Sequence, residues 1–263
     1  MSIIETGKIT TVLLFAVFVV ASAYWISRSR KGHLPYLRRI SVLDAIDELV
    51  GRATEMGSDV LFTVGMTSGF DPKYIQGFVA GLSTLRYVAS KCAEQDTPLH
   101  SIIGSSAGGR AENVYLSDDA MRFGCLEAGK PEFFEKGCTT HFYGTRVGAG
   151  LGIAFRTINF ASSIFVGSIS SEAPWPELFQ TRGVVNFGGT LDYPHLPETV
   201  VVSDYFMIGS EVLEAGAYLS KDPMTMASIA VEDYIKYIML AVVAIGFILF
   251  TVGFTAIKTW IVT

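Results

Sequence analysis

Residues 237–257, YIMLAVVAIGFILFTVGFTAI, carry no charge and are bracketed by Lys236 and Lys258. At 1.5 Å rise per residue a helix of this stretch covers about 31 Å, the thickness of a bilayer's hydrocarbon core. In lipid, only a helix or a closed barrel satisfies its own backbone hydrogen bonds. A buried helix of a soluble domain rarely runs this far without a polar face. The stretch predicts a transmembrane helix, and every other element must be arranged around it.

A second uncharged stretch, residues 9–27 (ITTVLLFAVFVVASAYWIS), lies between Lys8 and Arg28, with Tyr24 and Trp25 placed for an interfacial aromatic belt. Its apolar run is long and no small-x-small cleavage site precedes the basic segment. That predicts a retained anchor and not a removed signal peptide. Arg28, Arg30, Lys31, Arg38 and Arg39 follow. Basic residues stay on the cytoplasmic side, so the chain is expected to run inward through the first helix and outward through the second. Both termini are then outside the inner (plasma) membrane and the intervening domain is cytoplasmic. The basic run also suits contact with anionic lipid headgroups. Three cysteines, Cys92, Cys125 and Cys138, make no even disulfide framework, in keeping with a reducing compartment. A net charge of −5 and the lack of a dense basic run elsewhere argue against a nucleic-acid partner.

Three parts are therefore expected: an anchor and basic collar (1–39), an α/β domain (40–222), and a helix leading into the second anchor (223–263). In the middle part, short apolar runs rich in strand formers alternate with helical periodicities. Strands are expected at 59–64, 98–104, 139–143, 162–169, 183–187 and 199–203. Helices are expected at about 41–56, after Asp71-Pro72, and at 110–127, 145–157, 171–180 and 210–219. In the second helix Ile75, Phe78, Val79, Leu82, Leu85, Ala89 and Cys92 fall on one face. Residues 128–137 read as a looser link and 188–197 as a turn. Short strands apolar on both faces, separated by helices, indicate a Rossmann-like three-layer α/β domain with a mostly parallel sheet, inserted between two transmembrane helices. Residues 148–170 are apolar enough to compete as a third span, but Arg156 and Asn159 would sit near its centre.

The runs NFASSIFVGSISSEAP, GVVNFGGT and SDYFMIGSEVLEAGAYLSKDP, together with GRATEMG ahead of the first strand, resemble an uncharacterised family of prokaryotic membrane-anchored α/β proteins. The resemblance covers residues 41–240. It implies the architecture above and supplies no catalytic residues.

In an open parallel sheet, ligands bind beyond the carboxyl ends of the strands. Four stretches rich in small residues are expected there: GMTSG (65–69), GSSAGG (104–109), GSISSE (167–172) and FGGT (187–190). Small residues let backbone N–H groups approach an anion, and a helix N-terminus adds a favourable dipole. The foremost ligand-binding candidates are Gly104, Ser105, Ser106, Gly108, Gly109 and Arg110; the plainer alternative is that such residues simply make tight turns. The same loop matches G-x-S-x-G with Ser106 as nucleophile, and superficially resembles a patatin-like elbow. His141 and His195 are the candidate bases, but the Asp-Gly of a patatin-like dyad and an HGGG oxyanion loop are both absent. No GxxxxGK[ST] is present, so a P-loop nucleotidase is not expected. Cys138-x-x-His141 lacks a second ligand pair, so no metal site is expected. GAGLG (148–152) falls inside a helix and suits close helix packing better than a dinucleotide.

No cofactor is expected. The leading functional expectation is a non-enzymatic, membrane-anchored scaffold or assembly subunit whose partners are the bilayer and either further copies of itself or a membrane complex. Gly246 and Gly253 suit close helix packing in the second anchor. The alternatives are a sensory module that binds a small anionic ligand at the strand-end loops, and a serine hydrolase built on Ser106.

Overall fold

The computed structural model describes residues 9–31, 40–65, 74–105, 112–169, 172–220 and 223–251. Six strands, β1 (Asp59–Gly65), β2 (Leu99–Ile103), β3 (Cys138–Phe142), β4 (Phe160–Ser168), β5 (Val185–Thr190) and β6 (Tyr205–Ile208), form one sheet in the order β3-β2-β1-β4-β5-β6. Every pairing is parallel. The fold is thus α/β with an all-parallel sheet in the Rossmann order, and the progression of the chain reverses between β1 and β4.

Ten helices accompany the sheet among the described residues: α1 (Ile9–Arg30), α2 (Asp44–Glu55), α3 (Ile75–Glu94), α4 (Glu112–Glu127), α5 (Phe133–Gly137), α6 (Val147–Thr157), α7 (Trp175–Gln180), α8 (Leu196–Val202), α9 (Ser210–Ser220) and α10 (Pro223–Thr251). One sheet face, with Val60, Phe62, Val64, Leu99, Ile103, Ile164 and Val166, packs against α2, α3, α4 and α9. The other, with Leu61, Ile102, Phe160 and Phe165, packs against α6 and α7. Helical spacing accounts for α2, whose Ile46, Leu49, Val50 and Ala53 are all buried.

The central strand β4 is buried along its whole length despite Ser162 and Ser163. Both hydroxyls find partners, as buried polar groups must. Ser162 Oγ donates to the Leu49 carbonyl at 2.7 Å, and Ser163 Oγ bonds Asn186 Oδ1. The Asn186 amide in turn donates to the Pro176 carbonyl at 2.9 Å, and its backbone N–H to Asp204 Oδ2 at 2.8 Å. One buried asparagine therefore joins β4, β5, α7 and the start of β6.

Several expectations need correction. Residues 199–203 are not a strand: Thr199–Val202 belong to α8, where Pro197 stands in the first turn. The last strand is β6, and the β5 strand continues through Gly188 and Gly189 where a turn was expected. The supposed link 128–137 contains α5. Val79 is 52% exposed and Ile75 40%, so the inner face of α3 is narrower than its apolar pattern. Residues 148–170 are divided between α6 and β4 by a break at Ile158, and β4 is a central strand, so this stretch is not a helical span.

Residues 39–220 form one compact unit, and residues 1–38 with 221–263 another. Within the latter, α1 and α10 run antiparallel: the Trp25 and Tyr234 rings stack at 5.0 Å and Arg30 reaches Met224 Sδ at 3.6 Å. Of the two stretches expected to cross a bilayer, residues 9–27 fall in α1, while 237–257 begin in α10 and continue beyond the described residues. Among the described residues, no helix is long and apolar enough to cross a membrane.

Candidate functional site

In a sheet of this order the ligand crevice is expected where strand order reverses, beyond the carboxyl ends of β1 and β4, and glycines crowd those strand ends. Gly65 ends β1 at φ 86° and Gly167 lies near the end of β4 at φ 145°, both in the region that favours glycine. A Cβ on Gly65 would collide with the Ser168 carbonyl oxygen, and one on Gly167 would lie 2.6 Å from the Val64 carbonyl oxygen. The β1 register slips on both sides between Thr63 and Gly65. Thr63 Oγ1 accepts the Gly65 N–H at 3.1 Å there, which fixes the irregular strand end.

Over this junction sits the first turn of α3. A Cβ on Gly77 would be 3.2 Å from the Gly167 carbonyl carbon, and one on Gly81 2.5 Å from the Val166 carbonyl oxygen. Two glycines one helical turn apart thus let α3 lie directly on the β4 backbone. The N-terminal dipole of a 20-residue helix is held at the switch point with almost no side-chain bulk between. Ser168 and Glu172, which follow the close approach, are buried, Glu172 fully.

The foremost loop from sequence lies one strand away, and its two described residues are held structurally. Asn113 Nδ2, in the first turn of α4, donates to the Gly104 carbonyl at 2.8 Å. The Ser105 backbone N–H donates to the Gly144 carbonyl at 2.9 Å, so this N–H is already engaged. Ser106, Gly108, Gly109 and Arg110 lie outside the described residues. So do 66–69 of GMTSG and 170–171 of GSISSE. FGGT is not a strand-end loop, because all four of its residues belong to β5.

Neither candidate base stands free. His195 Nδ1 lies 3.2 Å from Glu198 Oε2. His141 Nε2 lies 3.1 Å from His100 Nδ1, and His100 Nε2 lies 3.0 Å from Asp59 Oδ2. A carboxylate can only accept, so His100 donates through Nε2 and offers its Nδ1 lone pair to the N–H of His141. Burial, and then the neighbouring His100, lower the His141 pKa. Sequence reasoning missed this Asp–His–His chain: its members lie far apart in sequence, and only the parallel pairing of β1, β2 and β3 aligns them.

The Cys138-x-x-His141 pair does not converge, since residues three apart on a strand point to opposite faces. Cys138 packs with the α3–α4 side. Among the described residues, no group of three or more His, Cys, Asp or Glu side chains is arranged to hold a metal ion. The glycines of α6 do serve close packing, but within the domain: Gly148 and Gly152 face Trp175, and Gly150 faces the Tyr143 ring. A small cleft at the opposite, amino-terminal end of β4 and β5 is lined by Ser58, Asn159 and Arg182. Its polar groups are occupied by neighbours: Asn159 bonds Ser58, and Arg182 bonds the Phe155 carbonyl and lies over the Phe155 ring.

Compared with known families, residues 1–261 match the one described as "Domain of unknown function (DUF6754)". The chain belongs to the DUF6754 family. The match spans both compact units, so the paired helices and the α/β unit form one family unit. Neither curated proteins nor solved structures match this DUF6754 chain.

Proposed function

We propose that this DUF6754 protein is a membrane-anchored binding module that takes a small anionic ligand of nucleotide type in the crevice between the ends of β1 and β4. One observation carries the reading: at the point where strand order reverses, the first turn of α3 rests through Gly77 on Gly167, beside Gly65. A phosphate placed beyond the end of this junction comes close to the backbone N–H groups of the first turn of α3. The module would sense or carry its ligand. His141, one of the candidate bases for Ser106, is engaged by His100.

Anchoring rests on the two uncharged stretches and on the surface of the helix pair. Phe15 and Val20 of α1 are 66% and 68% exposed, and Leu240 and Phe247 of α10 are 71% and 72% exposed. Soluble monomers rarely leave so much contiguous apolar surface in water. The Trp25–Tyr234 stack lies at the same end as Arg28 and Lys236, as an aromatic belt at a headgroup layer would. The basic residues at that end put the α/β unit in the cytoplasm of this reading, at the inner membrane.

Scaffold or assembly function is the second reading, and Gly246 favours it. Among the described residues nothing lies within 4 Å of a Cβ placed there, which leaves room for a neighbouring helix.

The ligand reading is tested on the full chain in mild detergent. Thermal unfolding is followed with inorganic phosphate, nucleoside monophosphates, diphosphates and triphosphates, and dinucleotides. At a hundredfold excess over Kd a true ligand adds about 2.7 kcal/mol. We expect at least one nucleotide to raise Tm, and Gly77→Val to abolish that rise. No shift across the panel, with native mass spectrometry finding no bound small molecule, overturns the reading.

A further inference from the structure

All three cysteines of the chain gather in one place. Cys92 comes from α3, Cys125 from the last turn of α4 and Cys138 from the first position of the edge strand β3. The Cys125 and Cys138 sulfurs are 3.9 Å apart. Cys92 is fully buried beside them, close enough to Cys125 to feel its charge. We propose that Cys125 and Cys138 form a redox-active dithiol, oxidised to an intramolecular disulfide by a low-molecular-weight disulfide.

Geometry and access assign the roles. A disulfide needs sulfurs about 2.05 Å apart, so the pair must close by roughly 2 Å, within reach of side-chain rotation. The residues between them form a short excursion through α5, so closure need not separate any two sheet strands. Cys138 is partly exposed on the sheet edge and Cys125 is buried. A solvent-borne oxidant therefore meets the Cys138 sulfur first. Cys125 accepts the Cys138 S–H, which lowers the Cys125 pKa and raises that of Cys138. The contact thus stabilises a thiolate in the pair, and the thiolate is the attacking species in exchange.

The chemistry balances in two exchanges. The Cys138 thiol passes its proton to the Cys125 thiolate across their contact, and the Cys138 thiolate so formed attacks one sulfur of the small disulfide RSSR, forming a mixed disulfide and expelling one RS⁻. That RS⁻ takes the Cys125 proton, and the Cys125 thiolate then attacks the Cys138 sulfur, forming the internal disulfide and expelling the second RS⁻. Two electrons pass from the pair to the oxidant, and the two thiol protons end on two RSH. Cys92, sealed from solvent with its thiol pKa raised by burial, is neither entry point nor resolving group.

The test uses the full chain in detergent, oxidised glutathione as the oxidant, and non-reducing peptide mapping. Wild type should lose two hydrogens, link the peptides of Cys125 and Cys138, and revert with dithiothreitol. Cys92→Ser should behave the same. Cys125→Ser should stop one step earlier, accumulating the glutathione adduct on Cys138, because the resolving sulfur is gone. Cys138→Ser should remain unmodified at Cys125. A wild type that stays a dithiol, a link through Cys92, or a Cys125→Ser protein left free at Cys138 overturns the proposal. Wild-type mapping decides the first two outcomes without reliance on any variant.

Discussion

Gly81 of α3 lies directly on the backbone of Val166 in β4: a Cβ there would come within 2.5 Å of the Val166 carbonyl oxygen and 3.0 Å of Val64 Cγ1. Backbone cannot step aside as a flexible side chain can. Any side chain at 81 must push α3 off the sheet or shift the end of β4, and either change opens the floor of the candidate crevice. Overpacking of this kind costs about 3 kcal/mol, so Gly81→Val should lower the Tm of the α/β unit by roughly 6–12 °C. Gly51→Ala is the matched control. It lies inside α2 with only the end of Gln95 near its Cβ, at 4.0 Å. Better helix propensity there should stabilise by about 0.5–1 kcal/mol. Equal effects from the two substitutions would remove close helix–strand packing as the reason for glycine at 81.

The Asp59–His100–His141 chain predicts a pH dependence of stability. His141 has a lowered pKa in the folded protein, so near and below the ordinary histidine value of about 6.5 the unfolded chain binds more protons than the folded one. Its contribution is full above that value and is lost as pH falls through it toward the folded pKa. Wild type should lose stability between pH 7.5 and 5.5 more steeply than His141→Gln, whose amide can still donate to His100 but does not titrate. Denaturant titrations at several pH values measure the two slopes, and parallel slopes would sink the assignment.

Much of this fold was legible in the sequence because local signals and burial agree. The apolar runs of β1, β2 and β4 sit between helices of clear periodicity, and that alternation requires a parallel sheet. Residues 199–203 misled because Thr199-Val200-Val201-Val202 are β-branched and favour strands. The deciding pattern is burial at Thr199 and Val202, three apart, with Val201 83% exposed, which is helical. Gly188 misled for a related reason. It suggests a turn, but its lack of a side chain makes room for α8, since a Cβ there would collide with Ser203 Oγ and lie 2.7 Å from Thr199 Cγ2. In the candidate site, the small strand-end residues were visible. The roles of Gly77 and Gly81 were not, because helix-on-strand contact leaves no periodic trace. The Asp–His–His chain and the cysteine cluster depend on strand register, which no local pattern encodes.

Topology is open to a direct test. Arg28, Arg30, Lys31, Arg38 and Arg39 place the α/β unit in the cytoplasm of the proposed arrangement. Val201, with its side chain largely exposed on α8, is a suitable reporter. In a Cys138→Ser background, Val201→Cys should resist a membrane-impermeant maleimide on intact cells and label after permeabilisation. Ser2→Cys should label without permeabilisation. The reverse pattern inverts the topology, and labelling of both positions in intact cells removes the anchored arrangement altogether.

Gly246 separates a lone anchored module from an assembling one. Among the described residues nothing lies within 4 Å of a Cβ at 246, although α1 packs against the same helix through Trp25 and Tyr234. A leucine at 246 therefore leaves the Trp25–Tyr234 contact intact. In lipid, helices associate by close packing of small residues, because the acyl chains give no hydrophobic drive toward association. A bulky side chain at the contact removes that close approach. Crosslinking in native membranes should therefore yield wild-type dimers or larger species that are reduced several-fold in Gly246→Leu, while the α/β unit keeps the wild-type Tm. Unchanged crosslinked species would leave Gly246 merely facing lipid. A wild type that is monomeric and partnerless in membranes would end the assembly reading and leave ligand binding as the function to pursue.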